Sequence, residues 1–300
     1  MPELPEVETV RASLARDMIG KKVKSVSVTN GRIVRRHKTA KDFRALIEGH
    51  SIRSAQRLGK NLVFGLENGS HLVIHLGMSG QLLRAKGPKD PKPKHTHVVF
   101  TFVQGGELRY VDPRTFGELY VSTPPAEGET VEISKFARLS IGGDGLALRK
   151  VVPELAHLGI DPFEDQIGWD RFAAILRSRS TSLKVVLTDQ DIIAGIGNIY
   201  ADEILFAAGL RFDREAESLS TIEIRRLHRA IAETLTEAIK HGGSTLDDEQ
   251  FVDPDGVPGT YQHFHQVYNR EGQACFHCRQ PIERETVRGR STYFCPKCQS

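Results

Sequence analysis

Apolar residues recur at helical spacing near the start of the chain, at Val7, Val10, Leu14 and Met18, and the pattern stops at Gly20. This predicts an amphipathic helix entered through prolines, with acids in its first turn. The period then changes. Short β-rich runs at 23–28, 62–66, 71–76, 98–103, 107–111 and 118–121 are separated by Gly, Asn and Pro turns, the spacing of a sandwich or barrel. Residues 86–94 hold three prolines and are predicted to be an exposed loop. From about Pro153 the periodicity is helical again, at 169–177, 182–189, 200–208 and 221–241. Ser220 and Glu223 form a capping-box pattern before the last helix, and Gly242-Gly243 closes it. The turn Gly195-Ile196-Gly197 could present backbone N–H groups to a phosphate or simply reverse the chain. Residues 242–268, rich in Gly, Asp and Pro, read as a mobile loop, and no internal repeat interrupts this order.

All four cysteines fall in the last 26 residues, as Cys275-Phe276-His277-Cys278 and Cys295-Pro296-Lys297-Cys298, with sixteen residues between the pairs. Two such turns can each aim two thiolates at one metal and complete a tetrahedron, which points to one structural Zn²⁺. Unpaired thiols or two disulfides are the alternatives. Four sulfur ligands leave no coordination position for substrate, so chemistry must be sought elsewhere.

A chain of 300 residues can hold two domains beside a small metal module. The acidic start and the lack of a long apolar run predict a cytoplasmic protein with no membrane contact. Net charge is only +3, but residues 21–60 carry twelve Lys or Arg against Asp42 and Glu48. A second cluster comprises Arg84, Lys86, Lys89, Lys92 and Lys94, and the segment from Asn269 onward adds six bases against three acids. Such local excess suits a polyanion, with nucleic acid the common one, although any single cluster could be a solvated face.

Five separated segments then carry a resemblance. The start Met1-Pro2-Glu3-Leu4-Pro5-Glu6-Val7-Glu8-Thr9-Val10, the segments His75-Leu76-Gly77-Met78-Ser79-Gly80 and Asp112-Pro113-Arg114-Thr115-Phe116-Gly117, the run Gly195-Ile196-Gly197-Asn198-Ile199-Tyr200-Ala201 and the tail Gly289-Arg290-Ser291-Thr292-Tyr293-Phe294-Cys295 resemble the bacterial formamidopyrimidine-DNA glycosylases. The resemblance implies a multidomain α+β fold: an N-terminal β-sandwich with an N-terminal helix over 1–130, a helix-two-turn-helix domain with a lesion-recognition loop over 131–268, and a four-cysteine zinc finger over 269–300. It implies a monomer acting on double-stranded DNA that contains oxidised bases or abasic sites. The implied activity is excision of oxidised purines, chiefly 8-oxoguanine and formamidopyrimidines, followed by strand cleavage through β,δ-elimination.

Residue roles follow from the same resemblance. With Met1 removed, the secondary amine of Pro2 would attack C1′ of the damaged nucleotide and form a Schiff base. An α-amino group has a reference pKa of about 8 against about 10.4 for lysine, so more of it is neutral at pH 7. Glu3 matches the family's acid, Glu6 a supporting carboxylate, and Lys60 a lysine at the lesion; Glu8 reads only as a complement to the helix dipole. Met78, Arg114 and Phe116 match residues that fill the gap left by an extruded base, whereas periodicity alone would place Met78 and Phe116 in the core. His95, Lys184 and Asn198 match phosphate contacts, and Arg290 matches the finger arginine that reaches DNA and assists δ-elimination. The metal ligands are Cys275, Cys278, Cys295 and Cys298.

The chain departs from the family pattern at Thr115, where a second arginine is common, and at Ser180, where a base is common but Arg177 and Arg179 stand nearby. Asp247, Asp248, Glu249, Asp253 and Asp255 make the loop at 247–255 acidic. An endonuclease VIII type enzyme for oxidised pyrimidines is a second reading, although its usual start, Pro-Glu-Gly-Pro, differs from Pro2-Glu3-Leu4-Pro5. A catalytically silent zinc protein that binds DNA is a third.

Overall fold

A computed structural model describes residues 2–247 and 250–300, so Met1, Asp248 and Glu249 lie outside the described residues. The chain packs as two units built from separated stretches. Met1–Val131, Arg149–Leu155 and His241–Gln262 form the first, and Glu132–Leu148, Ala156–Lys240 and His263–Ser300 the second.

In the first unit, helix α1 (Leu4–Met18) is followed by β1 (Val23–Val28), a short α2 (Ala40–Ala45), and strands β2 (Ile52–Leu58), β3 (Asn61–Leu66), β4 (His71–His75), β5 (Gln81–Ala85), β6 (Thr96–Phe102), β7 (Glu107–Val111) and β8 (Glu118–Ser122). The strands form two four-stranded antiparallel sheets, ordered β1-β6-β7-β5 and β2-β3-β4-β8. Their apolar faces share one core with Val7, Val10, Leu14 and Met18 of α1, joined by Phe43, Phe64, Phe100 and Tyr110. The predicted strands and first helix are present. Strands β2 and β5 were not signalled by the pattern, because buried and polar positions mix along both.

The segment predicted as a mobile loop, 242–268, is instead built into this unit over residues 242–262. Phe251 is 5% exposed and belongs to the core. Thr245 Oγ1 donates to the Phe251 carbonyl (2.7 Å) and accepts from the Gly259 N–H (2.9 Å). Asp253 accepts the N–H groups of Asp255 and Val257 in a turn, and Asp255 pairs with Arg84 at 2.8 Å. Gly and Asp here serve defined turns, a use that composition does not separate from mobility.

Helix α3 (Gly145–Val151) is divided between the two units after Leu148, and in the second unit α4 (Trp169–Arg177), α5 (Leu183–Thr188), α6 (Asn198–Ala208) and α7 (Thr221–Lys240) make the helical body. Helix α7 buries Ile224, Leu227, Ile231, Leu235 and Ala238 along one stripe. Its predicted capping box is present: Ser220 N–H and Oγ donate to Glu223 Oε2 at 2.8 and 2.7 Å. The tail forms a hairpin of β9 (Glu283–Val287) and β10 (Arg290–Phe294). Among the described residues no helix is long and apolar enough to cross a membrane.

Candidate functional site

Chain termini usually fray. Here residues 2–8 are all buried. Glu6 secures them: its carboxylate accepts the Glu3 N–H at 2.8 Å and, through the other oxygen, the Ser244 N–H at 2.7 Å. Gly243 makes the second bond possible. Its φ is +77°, and a Cβ there would stand 2.6 Å from Glu6 Oε1. Pro2 and Glu3 are therefore held at the mouth of α1, with Glu3 only 2% exposed.

Lys60 lies at the tip of the hairpin between β2 and β3, where Leu58 pairs with Asn61 and Gly59 takes φ +58°. That tip is tied to α1 by charge. Glu8 Oε2 accepts from Arg57 Nε at 3.1 Å, Arg57 Nη1 donates to the Gly59 carbonyl at 3.0 Å, and Arg11 also binds Glu8. Glu8 is thus a buried anchor as well as a dipole complement. Burial, followed by the nearby Lys60 ammonium, pushes His75 down to about 4, so its ring is neutral at pH 7 and its Nδ1 accepts the Gly77 N–H at 3.2 Å.

Met78 sits in the turn after β4, and Arg114 and Phe116 sit in the turn between β7 and β8. Met78 is 36% exposed and Phe116 47% exposed, so neither belongs to the core that periodicity favoured. The two turns touch backbone to backbone: a Cβ on Gly77 would stand 2.5 Å from the Gly117 nitrogen. Buried Asp112 binds both, accepting from Ser79 Oγ (2.7 Å), Gly117 N–H (2.9 Å), Tyr110 Oη (3.1 Å) and Arg114 N–H (3.2 Å). Its own N–H donates to the His95 carbonyl at 3.1 Å. One residue therefore organises the segments, its carboxylate holding those that carry Met78, Arg114 and Phe116 and its backbone N–H the one that carries His95. Thr115 adopts φ +55°, a conformation rare for a β-branched side chain, while the Arg114 guanidinium lies 4.9 Å from the Phe116 ring centroid.

In the second unit, Lys184 on α5 and Arg290 at the start of β10 line one cleft of about 220 Å³ with Thr188, Asp189 and Arg288. Arg290 is exposed and follows a two-residue turn in which Arg288 and Gly289 both have positive φ, the geometry of a type I′ hairpin. Lys184 is only 3% exposed, with its ammonium bonded to Asp202 and to the Asn198 carbonyl. The lysine that the resemblance matches to a phosphate contact is thus buried and already engaged by Asp202 and the Asn198 carbonyl. Asn198 Nδ2 donates to the Ser291 carbonyl at 2.8 Å, beside Arg290. Ser180 is exposed, Arg177 donates to Thr221 Oγ1, and Arg179 lies over the Phe136 ring.

Two acids on α6 mount the tail, and neither stood out in the sequence. Asp202 accepts the Tyr293 N–H at 3.0 Å, and burial raises its carboxyl to about 7 against the opposing pull of Lys184. Glu203 accepts three consecutive N–H groups, from Gln266 (2.8 Å), Val267 (3.0 Å) and Tyr268 (2.8 Å). The sequence signal is two adjacent acids in an otherwise apolar helix. Glu203→Gln would turn an amide NH₂ towards those donors, and a stability loss of about 2–4 kcal/mol is expected from unsatisfied buried groups. Denaturant midpoints would measure it, and an unchanged midpoint would refute the mount.

The four cysteine Sγ atoms lie within 4.8 Å of one another, with 3.9 Å between Cys275 and Cys298 and 3.4 Å between Cys278 and Cys295. A tetrahedral ion with bonds of about 2.3 Å needs sulfurs about 3.8 Å apart, so the four residues fit Zn²⁺. The site also needs charge. Burial pushes the Cys295 and Cys298 thiols up, and a dication would favour the thiolates.

Three family models match in order: the formamidopyrimidine-DNA glycosylase N-terminal domain over residues 1–119, its H2TH domain over 158–250, and the zinc finger found in FPG and IleRS over 272–300. A formamidopyrimidine-DNA glycosylase of Halalkalibacterium halodurans is 39% identical, with all of both chains covered. The chain belongs to the formamidopyrimidine-DNA glycosylase family. A Thermus thermophilus formamidopyrimidine-DNA glycosylase is 40% identical over all of this chain and 98% of its own. A crystal structure of the MutM (Fpg) protein from Thermus thermophilus aligns with TM-score 0.80 and 39% identity, covering 99% of this chain and 98% of that one. The Lactococcus lactis Fpg complex with DNA containing an abasic site aligns with TM-score 0.80 and 33% identity over 99% of each chain. This glycosylase is a DNA repair enzyme with one structural zinc, held by Cys275, Cys278, Cys295 and Cys298.

Proposed function

We propose that this glycosylase removes oxidised purines, chiefly 8-oxoguanine and formamidopyrimidines, from duplex DNA and then cleaves the strand as an AP lyase, with Pro2 as nucleophile. The buried N-terminal segment carries the reading: residues 2–8 are enclosed, and Glu6 holds the Glu3 backbone so that a proline and a carboxyl group are kept side by side in one geometry. After removal of Met1, the Pro2 nitrogen uses its lone pair to bond C1′ of the damaged nucleotide. The C1′–N bond breaks with its electron pair leaving on the base, which takes up a proton. Glu3 supplies a proton to the sugar or the leaving group, and opening of the sugar ring gives the iminium. Loss of a C2′ proton then expels the 3′ phosphate, a second elimination expels the 5′ phosphate, and water releases the amine.

Lys60 assists base removal from the hairpin tied to α1 through Glu8 and Arg57. Met78 and Phe116 fill the gap left by the extruded base, and Arg114 reads its partner. Their joint support by Asp112 favours a single inserting element. His95, Lys184 and Asn198 contact phosphates, and Arg290 binds phosphate and assists the second elimination. Along the sequence the enzyme divides into a sandwich segment over 1–130, a helical segment over 131–268 that lends 149–155 and 241–262 to the first unit, and a finger over 269–300, and it acts in the cytoplasm as a monomer.

Borohydride reduction during turnover of DNA containing 8-oxoguanine opposite cytosine should trap a covalent adduct, with the crosslink mapping to Pro2. Absence of an adduct despite DNA binding would favour the silent binder. A preference for thymine glycol would move the enzyme to the pyrimidine branch.

A further inference from the structure

The basic clusters of this chain meet different fates. Within residues 21–60, Lys21 pairs with Asp17, Arg35 and Arg36 with Glu118, Arg53 with Glu67, and Arg57 with Glu8. Arg84, expected to belong to the second cluster's field, bridges Asp17 at 2.9 Å and Asp255 at 2.8 Å. The lysines that follow it differ. Lys86, Lys89, Lys92 and Lys94 are all exposed, and none is paired with a carboxylate among the described residues. Asp90, the one acid within residues 86–94, faces the backbone and accepts the Lys86 N–H at 2.6 Å.

A run of unpaired like charges on a loose loop would be an ordinary solvated surface. This loop has a defined shape, and its support comes from the outer face of the sheet, the side of β7 opposite to core residues Leu108 and Tyr110. Arg109 of β7 is 2% exposed and pairs with Glu107 at 2.8 Å. Its guanidinium donates to the carbonyls of Gly87 (2.9 Å), Asp90 (3.2 Å) and Pro91 (2.8 Å). Burying a guanidinium costs several kcal/mol unless partners satisfy it, and the loop carbonyls are those partners. Thr96 Oγ1 closes the far end on the Pro93 carbonyl at 2.6 Å, and three prolines restrict the backbone between. The loop then runs into exposed His95, whose carbonyl is held by Asp112. The loop backbone thus runs from the Glu107 end of β7, where Lys86 follows β5, to the Asp112 end, where Lys94 and His95 adjoin the segment that carries Arg114 and Phe116.

We infer that residues 86–94 form a phosphate rail that grips the DNA backbone beyond the lesion, adding affinity without reading bases. The inference rests on the DNA glycosylase reading above and extends its footprint along the duplex. Unpaired ammonium groups facing phosphates release counterions, each contact contributing about 0.9 to the slope of log affinity against log salt on duplex DNA.

The test uses the full-length, zinc-loaded protein with Lys86→Gln, Lys89→Gln, Lys92→Gln and Lys94→Gln combined. Binding to a duplex with a non-cleavable abasic analogue is measured from about 50 to 200 mM salt. The slope should fall by about 2–4, with affinity at the lowest salt down at least about tenfold. Base release from the saturated complex in a single turnover should be unchanged, and the matching Lys→Arg set should restore the slope. Every altered side chain is exposed, so the thermal midpoint should hold. An unchanged slope in the folded Gln variant overturns the rail. Wild-type protein that neither binds nor cuts damaged DNA overturns the glycosylase reading itself, and the two failures are therefore distinct.

Discussion

An uncleaved tag on the N-terminus is expected to abolish base release from 8-oxoguanine DNA, and Pro2→Gly to cut it by at least about a thousandfold, the scale of losing a covalent nucleophile. A tag converts the Pro2 nitrogen into an amide whose lone pair is delocalised into the carbonyl, so it cannot attack C1′. Glycine keeps an amine but loses the ring that fixes the nitrogen against the buried wall of residues 2–8. Duplex binding should persist within a few-fold, because the proposed DNA contacts at His95, Arg114 and Arg290 lie elsewhere in the chain. Single-turnover base release and a binding isotherm on the same preparations measure both quantities. Full activity in the tagged protein would exclude an N-terminal nucleophile and turn attention to the buried amine of Lys60.

Cys295→Ser is expected to release the zinc and unfold the tail. Structural zinc contributes about 10–16 kcal/mol in finger peptides, far more than a small hairpin can replace. Cys275 and Cys295 are fully buried and pack with Phe206, Val267 and Ile282, so the same change opens the small core behind the hairpin. Metal analysis should fall from one zinc per chain to none, and amide protection should vanish along β9 and β10 while the sandwich retains its own. DNA affinity should drop with it, since Arg290 would lose its turn. Wild-type affinity in the zinc-free variant would remove the finger from the DNA interface.

The sequence made the apolar architecture readable and left the buried charges hidden. Alternating strands and the α1 stripe appear in the pattern because the core selects side chains by their solubility in water. Strand β2 escaped because Arg57, one of its fully buried residues, reads as surface in any hydrophobicity pattern. Asp202 and Glu203 escaped for the same reason: each is buried and justified by partners distant in sequence. The cysteines were legible because metal geometry imposes spacing. For Met78 and Phe116, periodicity pointed to the core and the family resemblance pointed outward, and their exposure agrees with the latter. Segment 242–268 was read as mobile, although 242–262 belongs to the first unit, because turn-forming residues look alike whether or not the turns are anchored.

That anchored segment bears on how such a protein can be divided. The first unit recruits Arg149–Leu155 and His241–Gln262 from far along the chain, so the polypeptide passes between units repeatedly. A gene cut after Val131 would deprive Glu6 of its Ser244 donor and the sandwich core of Phe251. Neither unit is a contiguous cassette that recombination could move intact, and evolution must shuffle the interleaved pair as one indivisible inheritance.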